Sequence, residues 1–404
     1  MINVTMRNGE LEDLRTTLEE QHALKHDVVV PAENIYSRNG LLTVKGDAQI
    51  TLDGVNPHSV YRPNGVMLEG ISAKLNVPLR YLTRLHTEAV DVFDANVNGL
   101  LHGKRRNRNG EVEVLREADA RNFLLRIYRD PDAGVGTGRA LLSDRYKVQD
   151  NLDAIMATLT GIQESGQEVQ VVQADVTDRR MYVRFAAPGL TAMAPNLLSG
   201  YRSPFTEEGD ERGELRRWRE IAHREGMGYD DGEPVIFAGF DVRNSETGNG
   251  SFDILPVITV RVCKNGLTIP AARFKRIHLG AQMQEGAIDW AADTQRAAAE
   301  LVQKQARDAV SAFCSPEFLQ QQVNVIEAQA GKVIRNPEKR VTEICSALKF
   351  TEDEQAKVWE HFIRGGQGTA GGLANAITSA SQLLPDADRA YELDDSALKA
   401  LALV

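Results

Sequence analysis

Cysteine is scarce. The 404 residues hold Cys263, Cys314 and Cys345, an odd number with no CxxC spacing. That argues against a disulfide framework and against a structural zinc site, and it fits a reducing compartment. No stretch of roughly 18 apolar residues occurs, so no membrane-spanning helix is expected. Met1 to Arg7 has no apolar signal core. Together these absences place the chain, as an expectation, in the cytoplasm. Aromatic residues make up only 6%, a thin supply for stacking on unpaired bases. No GxSxG or Cys–His nucleophile pattern stands out. No internal repeat or low-complexity tract stands out either.

What is present is ordinary globular composition, 42% hydrophobic and 26% charged, at a length for two or three domains. The net charge of −10 argues against a generic nucleic-acid coat, but the charge is uneven. His102 to Arg108 carries Lys104, Arg105, Arg106 and Arg108 with no acid. Ile254 to Gln284 carries Arg261, Lys264, Arg273, Lys275 and Arg276, again with no acid, and His278 besides. Residues 351–404 run the other way, with nine acids against four bases. A basic zone beside an acidic tail is the footprint of an anionic partner.

Apolar spacing at Leu11, Leu14 and Leu18 predicts a helix over residues 9–26, followed by short strands at Val28–Val30 and Leu41–Val44. A helical pair follows, Val66–Leu75 and Leu79–His86, broken at Asn76-Val77-Pro78. Strands are predicted at Asn122–Arg129, Arg139–Ser143, Glu168–Val176, Met181–Ala186, Pro234–Val242 and Ser251–Val262, with a helix at Asn151–Gln163. Turn formers from Arg243 to Gly250 make the last strand pair a hairpin. After Gln284 the chain turns helical: Ile288–Phe313, Pro316–Ala330, Pro337–Leu348, Glu352–Ile363 and Ala370–Leu383. The expected fold is α+β, with a mainly antiparallel central sheet. Its regions are a mixed N-terminal one (1–115), a β-rich core (116–285) with an insertion at 187–233, and a helical C-terminal one (286–404). The strands between about 121 and 263 are expected in one sheet.

Several constellations carry two readings. Gly134-Val135-Gly136-Thr137-Gly138 resembles a phosphate loop but lacks the GK[ST] ending, and a flexible loop is the plainer reading. The helical pair resembles a helix-turn-helix with Arg80 and Arg84 on one face, yet packing alone produces such hairpins. His22 and His26 stand four apart, a metal-clip spacing without a third ligand. Asp241, Glu246 and Asp253 flank one hairpin and suit a divalent cation, although acids also decorate solvated turns. Cys263 beside Lys264 reads as a small buried hydrophobe before a reactive thiol. Glu211 to Arg224, with Trp218 among its arginines, reads as a solvated helix before a base-stacking platform.

Three stretches together resemble a known family. They are Arg139-Ala140-Leu141-Leu142-Ser143-Asp144-Arg145-Tyr146 with Asp150-Asn151; Asn244-Ser245-Glu246-Thr247-Gly248 with Arg261 to Gly266 and Arg276-Ile277-His278; and Thr369 to Thr378. In these the chain resembles the phage/plasmid-like proteins known as domain of unknown function 932. The resemblance runs over roughly residues 60–280 and loosely over the C-terminal piece. It implies a mobile-element setting and assigns no catalytic residue and no cofactor.

The expected function is therefore non-catalytic nucleic-acid binding, as a single-strand binding or annealing factor in phage or plasmid recombination. The contacts are expected from Lys104, Arg105, Arg106, Arg108, Arg261, Lys264, Arg273, Lys275, Arg276 and His278, with single-stranded DNA or RNA as partner. One alternative is a protein-interaction factor that modulates host enzymes, of the anti-defence type; a second copy of the chain is a candidate partner under any of these readings. Another is a metal-dependent phosphodiesterase centred on Asp241, Glu246 and Asp253.

Overall fold

The computed structural model describes residues 5–51, 54–106, 112–114, 116–130, 134–198, 200–201, 235–260, 266–268, 274–276, 286–287 and 292–404. Arg108, Cys263, Arg261, Lys264, Arg273, His278 and the Glu211–Arg224 segment lie outside them. The N-terminal part runs β1 (Met6–Gly9), α1 (Leu11–Leu24), β2 (Lys25–Pro31), β3 (Ile35–Arg38), β4 (Leu41–Thr51) and β5 (Gly54–Pro63). Then come α2 (Gly65–Leu75), α3 (Leu79–Glu88), α4 (Val90–His102), β6 (Lys104–Arg106) and β7 (Val112–Val114). The middle holds β8 (Asn122–Tyr128), β9 (Gly136–Ser143), α5 (Asn151–Ser165), β10 (Gln170–Val176), β11 (Met181–Met193) and α6 (Pro195–Leu198). After these follow β12 (Val235–Asn244), β13 (Phe252–Val260), β14 (Gly266–Thr268), β15 (Phe274–Arg276) and β16 (Gly286–Ala287). The C-terminal helices are α7 (Ala292–Phe313), α8 (Pro316–Ala330), α9 (Pro337–Ala347), α10 (Glu352–Gly365), α11 (Ala370–Ser381) and α12 (Ala387–Leu403). No helix among the described residues is long and apolar enough to cross a membrane.

The α+β class and the helical C-terminal region are as the sequence predicts, but the strands form two large sheets. The first is antiparallel, in the order β1-β10-β11-β12-β13-β14, with β15 also on β13. The second runs β16-β2-β8-β9-β5-β4-β3, with one parallel pair, β5 on β9. So β8 and β9 leave the strands that follow them and join the N-terminal ones, and residue 115 falls within the span of that sheet. The reason lies in the two faces of β8. Phe123, Leu125 and Ile127 enter a core with Met67, Ile71, Leu82, Phe93 and Val97 of α2, α3 and α4. Only a sheet lying under those helices buries that face.

In the first sheet one face carries Val183, Phe185, Phe240, Val242, Phe252 and Ile254, packed on α1, α5 and α7. Phe185 and Phe240 stack at 4.9 Å. The alternate positions Tyr182, Arg184, Asp241 and Arg243 face α12 instead, as a strand's period of two requires. Tyr182 stacks on Tyr391 at 4.1 Å. The insertion expected from residue 187 begins later, because β11 continues to Met193 and α6 buries Leu197 and Leu198 in the C-terminal helical core. The last helix, α12, has no counterpart among the elements predicted from the sequence.

The glycine run also has a structural role. Gly136 lies in β9 facing Tyr128 and Tyr61, and a Cβ there would stand 2.3 Å from the Tyr128 carbonyl oxygen. Tightness to backbone, not phosphate binding, accounts for this glycine. Gly136→Ala is expected to destabilise by roughly 1–3 kcal/mol, as overpacking does. A urea midpoint equal to that of the wild type would show the strand yields more easily than this contact implies.

Candidate functional site

The first stretch behind the family resemblance and the Asn244-Ser245-Glu246 part of the second meet at one buried junction between the sheets. Arg126, fully buried on β8, donates Nε and Nη2 to the two Asp27 oxygens at 3.0 Å each. Its Nη1 reaches the Glu246 carbonyl oxygen at 2.9 Å, and it also pairs with Asp150. Asp150 takes Lys25 as well. Burial opposes the Asp150 charge, but Arg126 and Lys25 hold its carboxyl below the usual range. The β8–β9 ladder is irregular here: Arg126 pairs with Ala140 while Ile127 pairs with Gly138, so Arg139 stands opposite no partner in the ladder. Such a bulge re-aims a side chain. Arg139 lies over the Tyr128 ring at 4.0 Å and bridges to Glu246. Glu246 in turn accepts from the Asn151 backbone N–H at 2.6 Å, Asn244 donates to Asn151, and the Tyr146 hydroxyl donates to the Ser245 carbonyl. These motif residues lock the sheets together. Lys25, Tyr128, Arg139, Asp150 and Glu246 also line a small pocket there with His22.

The third stretch is helix α11, wholly buried, capped by the Thr369 hydroxyl accepting from the Gly372 N–H. Asn375 donates to the Leu197 carbonyl at 2.8 Å.

Of the carboxylate trio read as one alternative for a cation site, Asp241 and Glu246 are taken by ion pairs. Asp241 is bidentate with Arg184 at 2.8 and 3.0 Å and also takes Arg243 at 3.0 Å. Despite its burial, these two arginines hold its carboxyl low. Glu246 belongs to the junction, and Asp253 accepts from Ser251 at 3.0 Å. Among the described residues no group of three or more His, Cys, Asp or Glu could hold a metal. His22 and His26 do not share a helix: α1 ends at Leu24, and His26 on β2 contacts Asp47 at 3.0 Å. Burial pushes the Cys314 and Cys345 thiols up to about 12, far from reactive thiolates. Arg84 on α3 is paired with Glu88, while Arg80 is exposed.

Of the expected nucleic-acid contacts, Lys104, Arg105 and Arg106 form β6, and Lys104 is exposed. The register sets Arg105 opposite Glu113 and Arg106 opposite Val112. Lys275 and Arg276 lie on β15, where the register sets Asp253 opposite Lys275. The acid-free stretch in the sequence is thus not acid-free across the sheet.

The structure assembles a basic cleft that no local charge run announced. Lys74 from the end of α2, Arg121 before β8, and Arg145 after β9 line a cleft of about 350 Å³ with Asn122, Phe123, Ser143 and Asp144. Strand pairing sets Phe123 beside Ser143, which brings the two ends together. Arg121 chelates Asp119 through Nε at 2.9 Å and Nη2 at 2.6 Å, and Nη2 also reaches the Lys74 carbonyl at 2.7 Å. Its guanidinium sits over the Phe123 ring at 5.0 Å. Burial and then the Arg121 charge lower the Lys74 pKa, with Asp144 opposing. The β6–β7 hairpin leads directly into this wall: the Arg116 N–H bonds to the Gly103 carbonyl and the Asp119 N–H to the Leu101 carbonyl.

Compared with protein-family models, curated proteins and solved structures, the chain gives no significant match.

Lys74, Arg121 and Arg145 escape a reading of the sequence because they are far apart along it and each has acids or neutral residues around it. Helix end, strand start and strand end meet only in the fold.

Proposed function

We propose that the protein binds single-stranded nucleic acid through its N-terminal basic surface, without catalysis, as a binding or annealing factor of a phage or plasmid. The observation that supports this best is the basic cleft of Lys74, Arg121 and Arg145, joined by a short segment to the Lys104-Arg105-Arg106 strand. In a chain of net charge −10 such a surface concentrates cations where an anionic backbone can run. The resemblance to phage/plasmid-like proteins supports the recombination setting. The phosphodiesterase alternative is weakened by the arginines that occupy Asp241 and Glu246.

The test is a fluorescence-anisotropy titration of single-stranded DNA and RNA across a salt series. Each cation removed from a phosphate should lower the slope of log affinity against log salt by roughly 0.7, so the triple variant Lys104→Ala/Arg105→Ala/Arg106→Ala should lower it by about 2. Melting curves of the variant and the wild type separate a lost contact from a lost fold. Arg84→Ala, whose guanidinium is already paired, serves as control. No salt-sensitive binding by the wild type would remove this reading and leave the protein-interaction alternative. Binding that survives the hairpin triple but is lost in Arg273→Glu/Lys275→Glu/Arg276→Glu would move the surface to residues 254–284.

A further inference from the structure

We infer that the Lys74–Arg121–Arg145 cleft takes the phosphate monoester at the end of a nucleic-acid strand, in preference to an internal phosphodiester. This deepens the nucleic-acid reading and rests on it.

Charge comes first. Three cationic side chains line the cleft against one carboxylate, Asp144. Asp119 neutralises Arg121, so Lys74 and Arg145 are the lining cations left without an ion pair among the described residues, and two such groups suit a terminal phosphate of about −1.5 to −2 better than the single charge of a diester. Neither Lys74 nor Arg145 forms an ion pair with a carboxylate among the described residues, whereas Arg121 is held by Asp119 alone. Lys74 is thus crowded by a like charge, and a dianion placed between it and Arg121 relieves that repulsion directly.

Shape and chemistry point the same way. The one aromatic in the lining, Phe123, is 1% exposed and its ring already faces the Arg121 guanidinium. It offers no platform for a base, so the cleft recognises phosphate and leaves bases to other surfaces. Asn122 and Ser143 add neutral hydrogen-bonding groups beside the cations. Arg121 is pre-set by three hydrogen bonds to Asp119 and one to the Lys74 carbonyl, so little ordering is needed when an anion arrives.

The experiment compares one single-stranded oligonucleotide bearing a 5′-phosphate, a 3′-phosphate or hydroxyls at both ends, each with an internal fluorophore. With the wild-type protein, one phosphorylated end should bind roughly tenfold tighter than the hydroxyl-ended strand, a gain of about 1.4 kcal/mol. Millimolar inorganic phosphate should erase that advantage. In Lys74→Ala/Arg145→Ala the ratio of phosphorylated to hydroxyl-ended affinity should fall to one, whatever loss the three strands share. Arg145→Ala alone, an exposed position, keeps the test open if the double variant does not fold. Equal wild-type affinity for all three ends overturns the inference but leaves nucleic-acid binding standing. A preference that persists in both variants also overturns it, by placing end recognition elsewhere. Absence of binding to every strand overturns both readings at once.

Discussion

Arg126→Ala is expected to destabilise the protein by about 3–5 kcal/mol, the cost of breaking a buried ion pair from one side. Arg126 is fully buried and serves Asp27, Asp150 and the Glu246 carbonyl together. Its removal leaves Asp27 without its bidentate partner, and Lys25 alone to balance Asp150. At roughly 2–4 °C per kcal/mol for a domain of this order, the melting temperature should fall by about 10 °C. Arg126→Lys should recover little of this, because a single ammonium cannot span a bidentate carboxylate and a carbonyl on another side. Arg84→Ala should leave melting essentially unmoved, since its pair with Glu88 is exposed on both sides. A melting temperature within a degree or two of wild type for Arg126→Ala would mean that the sheets are not joined through this network.

The junction shows which parts of the fold were legible beforehand. Helix starts in the C-terminal region could be read because local chemistry marks them. The Ser315 hydroxyl accepts from the Phe318 N–H, and Thr351 with Glu354 makes a reciprocal capping box. Asp386 caps α12 in the same way, accepting from the Asp388 and Arg389 N–H groups. That helix was hidden because its acids looked like a solvated tail, whereas Asp394 and Asp395 reach arginines of the first sheet. The division into two sheets was illegible for a different reason. Pairs such as Asp27 with Arg126 join residues 99 apart in sequence, and hairpin logic sees only neighbours. Arg126 itself, inside Asn122-Phe123-Leu124-Leu125-Arg126-Ile127-Tyr128, carried one signal that could have been used. A lone charge within an otherwise apolar strand needs a buried partner. The acids around the 244–250 hairpin read in the sequence as a solvated turn or a cation site, whereas Asp241 and Glu246 are buried against guanidinium groups.

Asp394 gives the second large effect, through pH. It is buried between the first sheet and α12, accepts from the Ser381 hydroxyl, and meets Arg184 at 3.2 Å. Arg184 gives its bidentate face to Asp241, so Asp394 receives the weaker share. Around this layer Arg7, Arg184 and Arg243 face Asp175, Asp241, Asp394 and Asp395, three cations against four carboxylates. Burial, reinforced by the Asp241 charge, pushes the Asp394 carboxyl up to about 6 against the pull of Arg184. A carboxyl raised on folding favours the folded state while protonated. Its contribution is complete below the unfolded value near 4 and is lost as pH rises through about 6. The loss is on the order of 2–3 kcal/mol, at about 1.4 kcal/mol for each pH unit that separates the folded and unfolded values. Asp388, also raised by burial, adds a slope of the same sign, so the comparison must be made within one background. Asp394→Asn imitates the protonated form at every pH while Asp241 keeps Arg184 paired. Thermal unfolding of both proteins from pH 4 to 8 should therefore give curves that meet near pH 4. They should separate through pH 5–6, with the variant melting higher at pH 7.5. Parallel curves would show that Asp394 stays ionised in the fold. A variant that melts lower at every pH would show instead that its contact with Arg184 outweighs the burial of its charge.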